Sequence, residues 1–189
     1  MTNPRPSARE RLLEAADRLF YAKGIHTVGI DRVIEEAGVA KGSLFYNFSG
    51  KDELVAAYLA ARHERRRARI ARHFEGLTDP VEKLLAIFDA LQEAVTSPGY
   101  NGCAFANATA EATPGSVEAV ALRNTRGWLH ELILSLTTEA SFADPEAVAD
   151  RLLLLYDGAV ANSRLDTHPD AARVAKELAE LVLETTPRT

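Results

Sequence analysis

The stretch from Gly29 to Leu54, GIDRVIEEAGVAKGSLFYNFSGKDEL, leaves this chain very few ways to fold. Ile30, Val33, Ile34 and Ala37 recur at helical spacing, so a short helix begins after Gly29, with Asp31 in its first turn where the dipole favours an anion. Gly38 ends it, because a glycine there supplies the left-handed residue that a tight turn needs. Val39 opens a second short segment running through Lys41 to Phe48. Two helices crossing at a sharp angle follow, the pattern of a helix-turn-helix.

The second helix has an unusual composition for its length. Leu44 and Phe48 are spaced to face inward, while Lys41, Gly42, Ser43, Tyr46 and Asn47 form a small, polar and aromatic outer face with no carboxylate. A duplex groove asks for such a face: small residues let the backbone approach, Ser, Asn and Lys reach phosphates or base edges, and an acid would be repelled. Lys51, at the start of the next helix, is placed to pin a phosphate. A solvated helical hairpin is the other reading of the same residues.

A chain of 189 residues with 47% hydrophobic content can bury a real core. Its apolar runs are short, such as Leu152 to Tyr156, and no cleavable apolar segment follows Met1, so neither a membrane span nor a secretion signal is expected and the cytoplasm is the expected location. The lone Cys103 excludes an internal disulfide framework. The net charge of −5 is unevenly spread. Residues 1–75 carry 14 Lys and Arg against 10 Asp and Glu, a net of +4, whereas residues 76–189 carry 8 against 17, a net of −9. A mildly basic front with an acidic remainder fits one part meeting phosphate and the other meeting something else. The surface acids suggest tolerance for a neutral or cationic ligand in the second part.

Ahead of the hairpin, Ser7 to Glu10 reads as a capping box, and Leu12, Leu13, Ala16, Leu19 and Phe20 mark one face of a helix ending at Gly24. With the inner faces of the hairpin it makes a three-helix head. Arg5, in the Pro-flanked tail, could serve as a minor-groove arm, with an ordinary frayed terminus as the alternative.

The run from Arg11 to Leu59, with LLEAADRLFYAKGI, then DRVIEEAGVAKGSLFYNF, then GKDEL, resembles the DNA-binding head of the tetracycline-repressor (TetR) family over about a quarter of the chain. The resemblance implies an all-helical homodimer that represses transcription from a double-stranded DNA operator and is released by a small-molecule effector. It assigns DNA contact to Lys41, Gly42, Ser43, Phe45, Tyr46 and Asn47, with Lys51 on the backbone. Three departures stand out. Ala40 occupies the place of the usual Ser or Thr cap, Phe45 that of a phosphate-binding Tyr, and Ser49-Gly50 that of Pro-Ser. Ser49 can still cap the next helix, with Asp52 three residues on, and Tyr46 offers a hydroxyl on the groove side.

From Lys51 a helix is predicted to about Phe74. Leu54, Val55, Tyr58 and Leu59 form its first apolar face; projecting that face onward meets Arg62, Arg65, Arg69 and Arg72, read here as solvated, while Ile70 and Phe74 sit elsewhere on the cylinder. Its buried side therefore rotates, as a helix bridging two cores would need. Beyond it, Asp79-Pro80, Thr113-Pro114 and Asp144-Pro145 each put a capping residue before a proline at the first helical position, and His168-Pro169-Asp170 marks another start. Helices are predicted over 80–96, 102–111, 114–138, 145–164 and 169–185. With no alternating strand pattern, the expected fold is all-α: a three-helix head over 1–50, a bridging helix over 51–74, and a ligand-binding and dimerisation bundle over 75–189.

A ligand site would show as polar groups planted in apolar stripes. Gln92 falls among Val81, Leu84, Leu85, Phe88, Leu91 and Val95, and Asn124 among Val117, Val120, Ala121 and Trp128, so both amides are expected to point inward. With Phe88, Trp128 and Tyr156 they describe an aromatic pocket with a few polar anchors, although each amide alone would read as a satisfied core group. The small apolar segment containing Cys103 and Asn107 could line it, and resembles a GC-x-F-x-N stretch in one branch of the same family. Leu152 to Leu155 wrap their helix on all sides, and Val174, Ala175, Leu178, Leu181 and Val182 make a broad stripe on the last one. Helices 145–164 and 169–185 are thus the expected homodimer interface, with a larger monomeric core as the alternative; a dimer also suits two half-sites roughly 34–36 Å apart. None of His26, His63, His73, His130 or His168 has metal-like spacing and Cys103 lacks a local base, so no catalytic site, metal or cofactor is expected. The alternative function is a helical adaptor that uses its C-terminal helices to bind protein partners.

Overall fold

A computed structural model describes residues 6–110, 112–165 and 170–189. The described residues form α1 (Ala8–Lys23), α2 (Ile30–Ala37), α3 (Lys41–Asn47), α4 (Lys51–Phe74), α5 (Pro80–Thr96), α6 (Ala104–Thr109), α7 (Val117–Glu139), α8 (Pro145–Leu165) and α9 (Ala171–Thr185). The all-α expectation holds, and no helix among the described residues is long and apolar enough to cross a membrane. Arg5 and the His168-Pro169 start lie outside the described residues.

Two compact units result, one holding the chain up to His63 together with Ala104–Leu122, the other Glu64–Cys103 and Arg123–Thr189. In the first, α1 begins with the expected reciprocal cap. The Glu10 backbone N–H donates to Ser7 Oγ and the Ser7 N–H to Glu10 Oε2, which holds the Glu10 carboxyl below its ordinary range. Leu12, Ala15, Ala16, Leu19 and Phe20 are buried on one face of α1, against which α2 and α3 pack. Leu54, Val55, Tyr58 and Leu59 of α4 belong to the same unit and are buried as their spacing predicts, Tyr58 meeting Phe20 edge-on with ring centroids 5.7 Å apart. Glu53, rather than Asp52, closes the start of α4, accepting from the Ser49 backbone N–H at 2.7 Å.

The arginine stripe does not begin as a solvated face. Arg62 donates through Nε and Nη2 to the two carboxylate oxygens of Asp17, at 2.7 and 3.1 Å, and its guanidinium lies 3.7 Å from the centroid of the Tyr21 ring. Arg72 follows the expectation more closely, meeting Glu93 on the surface of the second unit.

In the second unit Leu84, Ile87, Phe88 and Leu91 of α5 pack with Leu129, Ile133 and Leu136 of α7, with Leu152 and Tyr156 of α8, and with the small residues Ala172, Ala175 and Ala179 of α9. Asp79 and Asp144 cap α5 and α8 as their Asp-Pro pairs predict. Thr113-Pro114 does not start α7. The chain turns there instead, with Gly115 at φ 88, and Ser116 Oγ accepts from the Ala119 N–H, so the helix opens at Val117. Among the described residues of the segment predicted over 102–111, the helix spans Ala104–Thr109.

Candidate nucleic-acid interface and effector region

α3 has seven residues and, as Ala40 predicts, no side-chain cap. A helix this short cannot hold itself in water, so its position is set by its neighbours. Leu44 is fully buried and Phe48, just past the helix, is 2% exposed; truncating such a side chain costs about 2–5 kcal/mol. From the other end Arg11 of α1 donates through Nη1 to the carbonyls of Gly38 (3.1 Å) and Ala37 (3.4 Å), the terminal carbonyls of α2. Gly38 adopts φ 61, ψ 41, the left-handed conformation expected of it. The turn is thus gripped through its main chain.

What α3 turns outward is the face expected from its sequence. Tyr46 is 89% and Phe45 54% exposed, Lys41 and Gly42 are exposed, and Ser43, Asn47 and Lys51 are half-buried. A Cβ at Gly42 would meet nothing within 4 Å, so nothing inside the protein requires a glycine there. Asn47 donates to the Ser43 carbonyl at 2.7 Å, which fixes its amide on the outer surface of the helix. One acid does reach this surface: Asp31 of α2 accepts from Lys41 Nζ at 3.0 Å. Ten residues separate the two and they lie on different helices, so local spacing could not reveal the pair.

The residues expected to line a ligand pocket are only partly brought together. Phe88 and Tyr156 meet edge-on in the core of the second unit, ring centroids 6.2 Å apart. Cys103 is half-buried and its Sγ accepts from Arg66 Nη2 at 3.5 Å. Trp128 is half-buried beneath the Arg67 guanidinium, 5.6 Å from its ring centroid. The inward expectation for Asn124 fails: it is exposed, because the buried line of α7 runs through its neighbour Thr125 and then Leu129, Ile133 and Leu136. Asn107 is also exposed, on the side of α6 away from buried Ala104, Phe105 and Ala108. Gln92 is half-buried rather than a core amide, and its Oε1 accepts from the Arg173 backbone N–H at 3.2 Å. Asp170 has φ −95, ψ 3 and makes no side-chain cap, so Gln92 serves the start of α9 from a different helix.

Sequence reasoning missed Arg66 and Arg69 as interior groups. Arg66 sits on α4 with its guanidinium in the interior of the second unit, donating to Thr125 Oγ1 at 3.4 Å as well as to Cys103. Burial opposes its charge, but Tyr156, Cys103 and Asp157 outweigh that and hold it above its ordinary value. Arg69, one turn on, is pushed down by burial, and its Nε is shut off from solvent with no hydrogen-bond acceptor. Burial also pushes the Tyr156 phenol up, against the pull of Arg66 and Arg69.

Residues 12–58 match the family model for bacterial regulatory proteins of the tetR family, and residues 80–179 match the C-terminal domain of tetracyclin repressor-like proteins. The HTH-type transcriptional regulator LmrA of Bacillus subtilis is 39% identical over 85 residues, which is 44% of this chain; the chain spans 45% of that relative's length. The probable HTH-type transcriptional regulator ArpR of Pseudomonas putida is 30% identical over 171 residues, 79% of this chain and 81% of that protein. The crystal structure of a TetR-family transcriptional regulator from Streptomyces coelicolor matches with a TM-score of 0.88 at 35% identity, covering 94% of each chain.

Proposed function

This chain belongs to the TetR family of bacterial regulatory proteins, and from that premise we propose that it is a cytoplasmic, non-enzymatic repressor that binds operator DNA as a homodimer and is released by a small molecule. The observation that carries the DNA-binding reading is the outer face of α3, which is free of carboxylates along its own length and presents Tyr46 almost fully to solvent. Such a face enters the major groove without repulsion, Ser43, Tyr46 and Asn47 meeting base edges and Phe45 offering apolar contact to a thymine methyl. At Gly42 the backbone can approach the duplex closely. Lys51 takes a phosphate, and Lys41 exchanges Asp31 for one.

Two heads must be paired to read two half-sites, and α8 and α9 are the surface for that. Leu154, Leu178 and Leu181 are exposed there, with Val174 beside them, and Leu154, Gly158, Ala159, Val174 and Leu178 edge an apolar groove that a second copy can fill. In this reading the head spans residues 1–50, α4 bridges over 51–74, and residues 75–189 bind the effector and self-associate. Phe88, Cys103, Trp128 and Tyr156 of the second unit are the proposed effector contacts, with Gln92 and Asn124 as polar contributors at its margin. An effector that favours one head spacing over another lowers operator affinity by its preference between the two states.

The test is salt-dependent retention on duplex DNA. Each phosphate contact contributes about −0.9 to the slope of log affinity against log salt, so Lys41 and Lys51 in two copies account for roughly −3.6. Lys51→Gln should flatten the slope by about 1.8 on every sequence, whereas Tyr46→Ala should reduce discrimination between operator and random duplex and leave the slope unchanged. Retention indifferent to salt, or to both substitutions, refutes the reading.

A further inference from the structure

Neither DNA binding nor self-association uses the positive charge that the second half of α4 carries into the interior. Arg66 and Arg69 lie one turn apart, the first donating to Thr125 Oγ1 and Cys103 Sγ, the second presenting a buried Nε–H with no acceptor. The buried hydroxyl of Tyr156 lies close enough to both guanidiniums for each to bias the others' ionisation. Asp157, the nearby acid of α8, is drawn to the surface by Arg126 at 2.5 Å, and Glu93 is engaged by Arg72 and His73 at 2.8 Å each. A buried N–H without an acceptor is costly, and its cost is relieved most by an anionic oxygen, because charge-assisted hydrogen bonds are the strong ones.

We propose that Arg69, with Arg66 and Tyr156 beside it, is the polar end of the effector site, and that the effector is an organic carboxylate whose oxygens accept from the Arg69 Nε–H and the Tyr156 hydroxyl. This rests on the reading of the chain as an effector-responsive regulator and names the chemical class of the effector. It reverses the expectation drawn from the acid-rich second part of the sequence. Among the described residues of this unit the acids of 76–189 are exposed or only half-buried, whereas the guanidinium of Arg66 and the Nε of Arg69 are carried inside it. A cationic ligand would be repelled by the two guanidiniums, and a neutral one would leave both charges as they are. A carboxylate neutralises one and supplies the acceptor that Arg69 lacks.

The experiment uses the full-length chain with matched pairs of probes: benzoate, phenylacetate, octanoate and decanoate, each against its primary amide. Thermal shift reads binding, and retention on duplex DNA reads release. At least one carboxylate is expected to raise Tm and lower duplex retention while its amide does neither. Arg69→Gln should weaken binding of that carboxylate by about tenfold or more, since a hydrogen bond to a charged group is lost. Arg69→Lys should restore only part of it, keeping the charge without the Nε–H. Should no carboxylate bind, should an amide bind as tightly as its acid, or should Arg69→Gln bind the acid undiminished, the anion site is overturned. The acid–amide comparison on the unmodified chain stands by itself if a variant fails to fold. Carboxylate binding that leaves duplex retention unchanged overturns the effector role. Failure to retain duplex DNA before any carboxylate is added refutes the DNA-binding reading instead, and the Tm shifts then report on the anion site alone.

Discussion

The Asp17–Arg62 pair ties α1 to α4, and its removal should loosen both. Each side chain is about one-fifth exposed (20% and 21%), so the pair is screened far less than a surface ion pair, which is worth about 0–1 kcal/mol. Two charge-assisted hydrogen bonds at 2.7 and 3.1 Å contribute about 1.5–3 kcal/mol together, and the guanidinium stacked 3.7 Å over Tyr21 adds about 1. Arg62→Met keeps the apolar stem but strands a half-buried carboxylate, for an expected cost of about 2–4 kcal/mol. Asp17→Asn should cost about 1–3 kcal/mol, and the double variant less than the two combined, giving a coupling energy of about 1.5–3 kcal/mol. Native-state amide hydrogen exchange of Leu12 to Leu19 is the appropriate assay, because it reads the local opening of α1 irrespective of how the second unit unfolds. A loss of 2 kcal/mol accelerates exchange by about thirtyfold. A coupling energy below about 0.5 kcal/mol would show that the pair behaves as an exposed one and does not tie the two helices together.

Three further outcomes can be checked. Ala40→Ser supplies the missing cap at a backbone already extended (φ −70, ψ 149) and should stabilise the head by about 0.5–1 kcal/mol by the same exchange measurement; no gain would mean α3 is already fully positioned by its neighbours. Leu154→Asp, at a side chain 74% exposed in the single chain, should leave helicity intact yet shift sedimentation from dimer to monomer. Two copies each lose about 1.5 kcal/mol or more, over a hundredfold in Kd, so an unchanged sedimentation coefficient rejects α8 as part of the interface. Finally, the Glu93 carboxyl is held below its ordinary 4.5 by the His73 hydrogen bond and then by Arg72. Its contribution is therefore present above that value and lost as pH falls through the lower folded one. Glu93→Gln should depress Tm at pH 6 and approach the parent as pH falls below the ordinary carboxylate range; parallel Tm profiles would contradict the shift.

The sequence was most legible where a feature is local. Gly24 and Gly38, the Ser7–Glu10 box and the Asp-Pro pairs at 79–80 and 144–145 each act within a few residues, and each stops or starts a helix where expected. Thr113-Pro114 shows the limit of the same reasoning, since a proline that can begin a helix can equally sit in the turn before one. The outward face of α3 was legible, since burying Leu44 leaves Lys41, Gly42, Phe45 and Tyr46 exposed. It was less so in the second unit because the partners lie far apart in the chain. Gln92 is claimed by α9, 81 residues away, and Asn124 falls off the buried line by a single position of helical phase. Arg62 and Asp17 are 45 residues apart, and nothing in the period of α4 distinguishes an arginine that finds such a partner from one that faces water.

The grip of Arg11 on the carbonyls of Ala37 and Gly38 is indifferent to which side chains α3 carries. Because the scaffold holds that helix by its main chain and by Leu44 and Phe48, its outward side chains can be rewritten at positions 42, 45 and 46 with little penalty to folding. A change in what that face recognises is thereby uncoupled from the risk of collapse.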